Sequence, residues 1–309
     1  MLILTDLTSF SNQFDHVKTA ICIGNFDGLH LGHQAIIRHM TEQARRSHLQ
    51  SVVLTFQSNT RRWKGSVCLL SSFDEKVSAL RSWGVDILMA LPFPGYIAAL
   101  PPHTFVIQVL LRRLGMQTCY VGENFRFGKD RKGTVSFLAS CAKRLGFHLQ
   151  VFDMLSVEGQ WVSSTAIRSL VHQGEVHQVN RFLGHPYEIE GLVVKGYGRG
   201  KSIGYPTSNL LMLDSLKCIP AEGIYVSTSH WDQQSCLSVT HIGPQPTFSG
   251  MRPSIETHLI GQSPMLYQRN LRIRFLQRLR DIYSFNSTEA LSAQIAQDIE
   301  KARELYPGL

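Results

Sequence analysis

The sequence of 309 residues lacks the features that mark several large classes of protein. No apolar run approaches the roughly 18 residues that a membrane-spanning helix needs. The first residues, Met1–Asp6, lack the basic region of a signal peptide. The six cysteines are scattered and form no CxxC pair, which argues against a disulfide framework or a zinc site. These absences predict reduced thiols, a cytoplasmic location and no membrane partner.

The composition is that of an ordinary globular protein, with 43% hydrophobic and 17% charged residues. The formal net charge is +8, and residues 1–182 carry 19 basic against 12 acidic side chains. A basic first part indicates an anionic partner, either a nucleotide or a nucleic acid. The basic cluster Arg61–Lys64 motivates the nucleic-acid alternative, although a solvated loop is the favoured interpretation of this cluster.

The two parts of the chain differ in their hydrophobic pattern. Up to about Gly184, buried strands such as Thr19–Gly24 alternate with amphipathic helices such as Thr104–Leu114, which predicts a parallel sheet of Rossmann type. Beyond that point, short strands alternate with Gly and Pro, which predicts a small antiparallel barrel or sandwich followed by a terminal helix, Ser287–Leu305. We therefore expect two domains, residues 1–184 and 185–309.

The first strand is followed by a glycine-containing turn that leads into a helix. A helix N-terminus at such a turn offers free N–H groups to phosphate. His30 and His33 are three residues apart, so both rings can reach one phosphate group, although structural or capping roles are the alternative. The candidate phosphate-binding residues of this turn are Gly24, Asn25, Phe26, Asp27 and Gly32.

Two further segments of the first part combine polar, basic and aromatic residues. In the first, Asn124, Phe125 and Arg126 follow a predicted strand; an aromatic ring can stack on a heterocycle, or simply anchor the loop in the core. In the second, Ser164, Thr165 and Arg168 begin a predicted helix and can bind a phosphate tail, while plain N-capping is the alternative.

The second part contains a glycine-rich segment that ends in Pro-Thr-x-Asn. Its glycines, including Gly200 and Gly204, allow the backbone to close on phosphates, whose charge Lys201 would offset. Thr207 and Asn209 offer oxygen ligands that suit Mg²⁺.

The alternating strand around Glu256 places an acid where it can serve as a general base for a hydroxyl nucleophile. A solvent-facing acid is the alternative for this residue.

Together, these segments resemble the bacterial bifunctional riboflavin kinase/FAD synthetases. The resemblance implies a nucleotidyltransferase domain in which FMN attacks ATP to form FAD and pyrophosphate. His30 and His33 would stabilise the transition state, Ser164, Thr165 and Arg168 would hold phosphates, and Asn124 to Arg126 would lie beside the flavin.

For the second part, the resemblance implies a riboflavin kinase barrel of six antiparallel strands. Glu256 would activate the ribityl hydroxyl of riboflavin, and Thr207 and Asn209 would position Mg²⁺-ATP. Arg280 and Phe285 would border the flavin ring.

Two departures from the family pattern leave alternatives open. Gln57–Thr60 replaces a segment rich in proline and histidine, and Ile282 replaces a glutamate. One alternative is a riboflavin kinase with weak or lost adenylyltransferase activity, and the remote one is a basic nucleic-acid-binding protein. The expected partners are flavins and ATP, with no nucleic acid; a homo-oligomer is compatible with the sequence.

Overall fold

The fold was analysed in a computed structural model. The structure describes residues 1–14, 16–56, 68–92, 96–196, 199–244 and 253–309, without the side chains of Arg199 and Lys201. The predicted loop Gln57–Thr60 and the basic cluster Arg61–Lys64 therefore lie outside the described residues. The chain divides into two compact units, residues 1–164 and 165–309.

The first unit is built on a parallel sheet of six strands in the order β1-β4-β3-β2-β5-β6. The inner strands β2 and β4 are buried along their whole length, as expected of strands covered on both faces. The bounds of the six strands are Leu2–Leu4, Thr19–Ile23, Gln50–Phe56, Ile87–Leu91, Met116–Gly122 and His148–Phe152.

Helices connect these strands, as the alternating pattern predicts. Helix α3 begins at a capping box, in which the Ser72 side chain accepts from the Glu75 backbone and the Glu75 side chain accepts from Ser72. The helices are α1 (Leu7–Gln13), α2 (Leu31–Arg46), α3 (Phe73–Ser82), α4 (Tyr96–Ala99), α5 (Pro102–Thr104) and α6 (Val135–Leu145).

Two features of this unit differ from the sequence-based prediction. The edge strand β1 has only three residues and pairs with β4 alone, so its short pattern carries little periodic signal. The segment Phe105–Arg113 is helical as predicted, but its hydrogen bonds are of the π type. A small hairpin, β7 (Ser156–Val157) and β8 (Gln160–Trp161), follows β6.

The second unit begins with two helices that lead into a closed barrel. Helix α7 spans Ser164–Gln173, of which Ser164 belongs to the first unit, and α8 spans Val176–Leu183. Inside this unit, the Asn180 amide on α8 donates to the Phe275 carbonyl and accepts from the Tyr187 backbone. Helix α8 thus packs against the barrel strands that contain Phe275 and Tyr187. The predicted domain boundary between residues 184 and 185 stays a prediction.

The barrel contains six antiparallel strands in the order β10-β13-β12-β11-β14-β9. The parallel α/β domain and the six-stranded barrel with its terminal helix confirm the predicted fold class. The strands are β9 (Tyr187–Val194), β10 (Ser208–Met212), β11 (Gly223–Trp231), β12 (Gln234–Gly243), β13 (Ser254–Leu259) and β14 (Asn270–Arg280), with the short helix α9 (Arg199–Ser202) before β10 and α10 (Thr288–Leu305) at the end.

The cysteines only partly follow the expectation of reduced thiols. Four of them, Cys22, Cys119, Cys141 and Cys236, are free. Cys68 and Cys218 are not among these free cysteines, so the expectation of reduced thiols is not borne out for these two residues. Among the described residues, no helix has both the length and the apolar character required to cross a membrane.

Candidate active sites

The turn between β2 and α2 lies at the carboxyl end of the central strand. Its backbone is unusual, because Phe26 and Leu29 have positive φ values of 48° and 45°. Both side chains are 3% exposed, so their burial holds the turn in this conformation. Gly24 leaves room for the Phe26 ring, since a Cβ would lie only 3.0 Å from it. The sequence thus builds a tight, buried turn at the N-terminus of α2.

His30 and His33 are brought together at the start of α2. Their rings stack with centroids 3.6 Å apart, and the Phe26 ring meets His33 edge-on at 5.2 Å. The His33 backbone N–H donates to His30 Nδ1 at 3.4 Å, so His30 also caps the helix. Gly32 lets the His30 ring lie against the backbone, because a Cβ there would be 3.3 Å from it. The capping and the phosphate-binding interpretations are therefore compatible.

The environment keeps both imidazoles neutral. Burial lowers the pKa of His30 to about 4. Burial is also the largest cause that lowers the pKa of His33, followed by the nearby His30 and Lys76. His33 Nδ1 is buried and has no hydrogen-bond partner among the described residues. A neutral imidazole can donate one N–H to a phosphate oxygen, so this pair is suited to polarising a phosphate group.

The carboxylate of Asp27 serves the turn itself. It accepts from the backbone N–H groups of Leu70 and Ser71 at 3.0 and 3.2 Å. The Ser164 hydroxyl donates to the Asp27 carbonyl at 2.9 Å, which brings the third sequence segment to the first. Thr165 and Arg168 belong to the second unit, where Arg168 is buried on α7; their predicted phosphate-binding roles stay predictions.

The predicted flavin-side loop follows β5. Phe125 is half-buried and stacks on Phe127 with centroids 5.3 Å apart, which matches the anchoring interpretation of this ring. Asn124 and Arg126 are exposed, and the Asn124 amide donates to Met154 Sδ at 2.7 Å. No flavin contact follows from this arrangement alone, so the roles of these three residues stay predictions.

In the barrel, the structure brings Thr207, Asn209 and Glu256 together. Asn209 on β10 stands opposite Glu256 on β13 in the antiparallel register. Thr207 Oγ1 donates to Glu256 Oε2 at 3.4 Å. Gly196 leaves room for the Asn209 amide, because a Cβ on Gly196 would overlap that amide and displace it. A hydroxyl, an amide and a carboxylate oxygen form a donor set that fits Mg²⁺.

The glycine-rich segment lies beside these groups. Gly200 begins the turn that leads to Thr207. A Cβ on Gly200 would clash with the Tyr205 carbonyl. Gly204 adopts a positive φ of 87°, which favours glycine. The Lys201 side chain lies outside the described part of the chain, so its predicted charge compensation stays a prediction.

A cavity of about 460 Å³ extends from Glu256 to the terminal helix. Its wall combines Glu256 and Thr207 with apolar and aromatic side chains, which is typical of a pocket for a flat organic ligand. The rings of Tyr283 and Phe285 form part of this wall, with their centroids 4.9 Å apart. The predicted flavin neighbours Arg280 and Phe285 therefore line the same cavity as the predicted general base.

Arg280 is fixed by a partner that sequence reasoning missed. Its guanidinium donates from Nε and Nη2 to the two carboxylate oxygens of Asp298 on α10, at 2.9 and 2.7 Å. The same guanidinium lies 4.6 Å from the centre of the Tyr283 ring. Asp298 is 4% exposed, so this is a largely buried, bidentate ion pair. The sequence signal that could have revealed Asp298 is an acidic residue on the apolar face of the predicted terminal helix.

A second missed residue, His241, stands opposite Glu256 on the neighbouring strand β12 and also lines the cavity. Burial is the largest cause that lowers the pKa of His241, while the charge of Glu256 raises it and that of Arg280 lowers it. The alternating pattern of β12 placed His241 on the same face as Val239, which is the signal that could have found it.

A second cavity of about 460 Å³ adjoins the first in the barrel unit. The two share Tyr205 and His258, whose rings meet edge-on at 5.5 Å. The second cavity is more polar and includes Arg303 and Glu300 from α10. Two adjoining pockets with Thr207 and Glu256 at one of them can hold two substrates side by side.

Comparison with known proteins identifies the family of the chain. A family model described as FAD synthetase matches residues 12–166, and one described as riboflavin kinase matches residues 183–306. The chain belongs to the bifunctional riboflavin kinase/FMN adenylyltransferase family. This confirms the resemblance inferred from the sequence segments. The family matches cover the turn with His30 and His33 in the first unit and the cavity with Glu256 in the second.

Relatives within the family extend over nearly the whole chain. A bifunctional riboflavin kinase/FMN adenylyltransferase of Haemophilus influenzae is 30% identical over 93% of this chain and 94% of that protein. The corresponding protein of Pseudomonas fluorescens is 32% identical, with 94% of each chain covered. A solved structure described as a macrolide-efflux protein from Streptococcus pneumoniae has a TM-score of 0.88 at 26% identity, covering 98% of this chain and 99% of that one.

Proposed function

We propose that this protein phosphorylates riboflavin to FMN with one ATP and adenylylates FMN to FAD with a second ATP. The observation that carries the proposal is the cavity in which Glu256 and Thr207 face the aromatic residues around Arg280, in a chain whose other unit holds the stacked histidines. The two family matches favour neither a kinase without adenylyltransferase activity nor a nucleic-acid-binding protein. The kinase is assigned to residues 185–309 and the adenylyltransferase to residues 1–184.

In the kinase step, riboflavin occupies the apolar cavity with its ring against Tyr283 and Phe285. Glu256 accepts the proton of the terminal ribityl hydroxyl, whose oxygen attacks the γ-phosphorus of ATP while ADP leaves. ATP lies in the adjoining polar cavity beside Pro206, so that its γ-phosphate points towards Thr207. The hydrogen bond from Thr207 keeps the Glu256 carboxylate oriented.

The donor set at β10 fits Mg²⁺, so Thr207 and Asn209 would hold the ion together with phosphate oxygens. Mg²⁺ supplies charge neutralisation of the phosphates when it is bound. The glycine-rich backbone around Gly200 and Gly204 closes over the phosphates, where N–H groups can approach without interference from side chains.

In the adenylyltransferase step, the phosphate of FMN attacks the α-phosphorus of ATP and pyrophosphate leaves. The N-terminus of α2 and the neutral His30 and His33 donate to the phosphate oxygens on which charge develops. The Ser164 hydroxyl, which donates to the Asp27 carbonyl, lies at the same turn and helps to hold the phosphate tail. No covalent enzyme intermediate is formed.

The test is to replace Glu256 by Gln and follow both products by chromatography. We expect FMN formation from riboflavin to fall by at least about 100-fold, since general-base catalysis contributes this order of magnitude. FAD formation from added FMN should remain. Glu304→Gln, an exposed position on α10, is the matched control and should leave both steps unchanged. FMN formation at the wild-type rate in the Glu256 variant would refute its role, and absence of FAD in the wild-type protein would refute the adenylyltransferase assignment.

A further inference from the structure

A buried lysine that no sequence segment pointed to lies beneath the β2–α2 turn. Lys76 on α3 is 8% exposed, and its Nζ donates to the Asn25 carbonyl at 2.8 Å. Lysine is almost never buried unless its charge is paired, because removing an ammonium group from water is costly. A buried lysine in contact with a phosphate-binding turn therefore requires a specific reason.

The charge that faces Lys76 on the turn is that of Asp27. Burial lowers the pKa of Lys76 to about 8, and the negative charge of Asp27 counteracts this shift. The Asp27 carboxylate also accepts from the backbone N–H groups of Leu70 and Ser71. The Asp27 carboxylate is therefore shared among several donors, and its negative charge balances that of the ammonium group.

Segment 70–76 clamps the turn at several points. The Gly28 N–H donates to Ser71 Oγ at 3.0 Å, and Leu70, Ser71 and Lys76 contribute the contacts to Asp27 and Asn25. The capping box at Ser72 fixes the start of α3 and so the position of Lys76 one turn later. The β2–α2 turn is thus held by hydrogen bonds from segment 70–76, in which Lys76 is the one basic side chain.

The same cation lies close to the histidine pair. The charge of Lys76 is one of the causes that lower the pKa of His33, so the ammonium group and the imidazole interact directly through space. Phosphates that bind at this turn would meet a cation in a buried, low-dielectric setting, where charge interactions are stronger than at the surface.

We propose that Lys76 is a positioning residue for adenylyl transfer: its ammonium group holds the Asn25–Asp27 turn and provides the buried positive charge that a nucleoside triphosphate needs there. The inference rests on the proposed adenylyltransferase function of the first unit. It gives α3, a helix that carries none of the sequence motifs, a role in binding ATP.

The test compares Lys76→Met, which keeps the length of the side chain, with Lys76→Arg, which keeps the charge. Steady-state conversion of FMN to FAD is measured as a function of ATP concentration. Loss of one charge-assisted contact predicts a rise of at least about tenfold in the KM for ATP in Lys76→Met, with a smaller change in kcat. Lys76→Arg should recover most of the affinity, and Lys143→Met, at an exposed position on α6, should match the wild type.

A purely structural role makes a different prediction. In that case Met and Arg variants would lose activity together, in parallel with loss of folded protein measured by circular dichroism. A KM for ATP within twofold of wild type in Lys76→Met would equally overturn the proposal. FMN formation in the barrel should be unchanged in all three variants. If the wild type makes FAD and only the Lys76 expectation fails, the proposed function stands; if the wild type makes no FAD, both fail.

A pH profile separates the charge from the packing. Lys76 is faced by Asp27 from the turn and by His33 from α2, and burial lowers the pKa of Lys76 to about 8 although the Asp27 charge raises it. The KM for ATP of the wild type should rise between pH 7 and pH 9, whereas that of Lys76→Arg should stay flat. Identical profiles for the two proteins would contradict the role of the ammonium charge.

Discussion

Lowering the pH from 7 to 5 should destabilise the first unit through His30. The His30 ring is 8% exposed, and burial lowers its pKa from 6.5 to about 4. In the unfolded chain the ring regains water and an ordinary pKa near 6.5. The folded and unfolded chains therefore bind protons differently across this range of pH.

The sign and the size of the effect follow from proton linkage. Above pH 6.5 His30 is neutral in both states, and its full contribution to stability is present. As the pH falls from 6.5 to 4, His30 binds a proton in the unfolded chain but not in the folded chain, so the free energy of unfolding decreases. At pH 5 the loss from His30 amounts to about 2 kcal/mol, and it approaches about 3 kcal/mol below pH 4.

The assay is urea unfolding at pH 7 and at pH 5, followed by circular dichroism and tryptophan fluorescence, with the transitions of the two units fitted separately. The wild type is compared with His30→Gln, which removes the titrating ring. The variant should lose about 2 kcal/mol less stability between the two pH values than the wild type. His148→Gln, at an exposed position on β6, serves as the control and should behave as the wild type.

The reasoning would be refuted by equal losses in the wild type and in His30→Gln. Such a result would mean that the His30 ring takes up its proton in the folded protein as readily as in the unfolded one. The His30 ring would then be cationic at pH 5, and its proposed action as a neutral donor would not hold at that pH.

Two further substitutions test the barrel. Asp298→Asn should lower the free energy of unfolding by about 3 kcal/mol, because it leaves the Arg280 charge buried without its partner. Glu300→Gln is the control: it removes an exposed ion pair on the same helix and should cost at most about 1 kcal/mol in the same denaturation assay. Gly196→Ala should displace the Asn209 amide, so FMN formation should fall and require more Mg²⁺, while FAD formation from FMN stays constant. An unchanged dependence of FMN formation on Mg²⁺ would contradict the role of Asn209.

The layout of both units could be predicted because the hydrophobic period changes where the fold changes. The strand–helix rhythm of the first part became the parallel sheet, and the short strands after Pro186 became the barrel. Five barrel strands were visible as apolar runs, whereas β10 was visible only as the extended segment around Thr207 and Asn209. Its Leu210 alone is buried, so its pattern is too weak to stand out from a loop.

The candidate sites could be predicted only as far as local segments reach. The turn with His30 and His33 and the segment with Thr207 are contiguous in sequence, so their residue types were informative. Lys76 could not be found in this way, because it lies on an ordinary amphipathic helix and its meaning comes from Asn25, 51 residues away. Asp298 is similar, since its partner Arg280 is 18 residues away on another element. Buried charges become interpretable only when the partner is known.

The replacement of the family's glutamate by Ile282 takes on a different meaning in the structure. From sequence, the loss of that carboxylate put the placement of Arg280 in doubt. Asp298 on α10 holds the Arg280 guanidinium through two bonds and Tyr283 stacks against it, so Arg280 does not depend on an acid at position 282. Ile282 instead adds an apolar side chain to the cavity wall. The departure therefore alters the polarity of the surface that the flavin ring meets, while the arginine beside it stays in place.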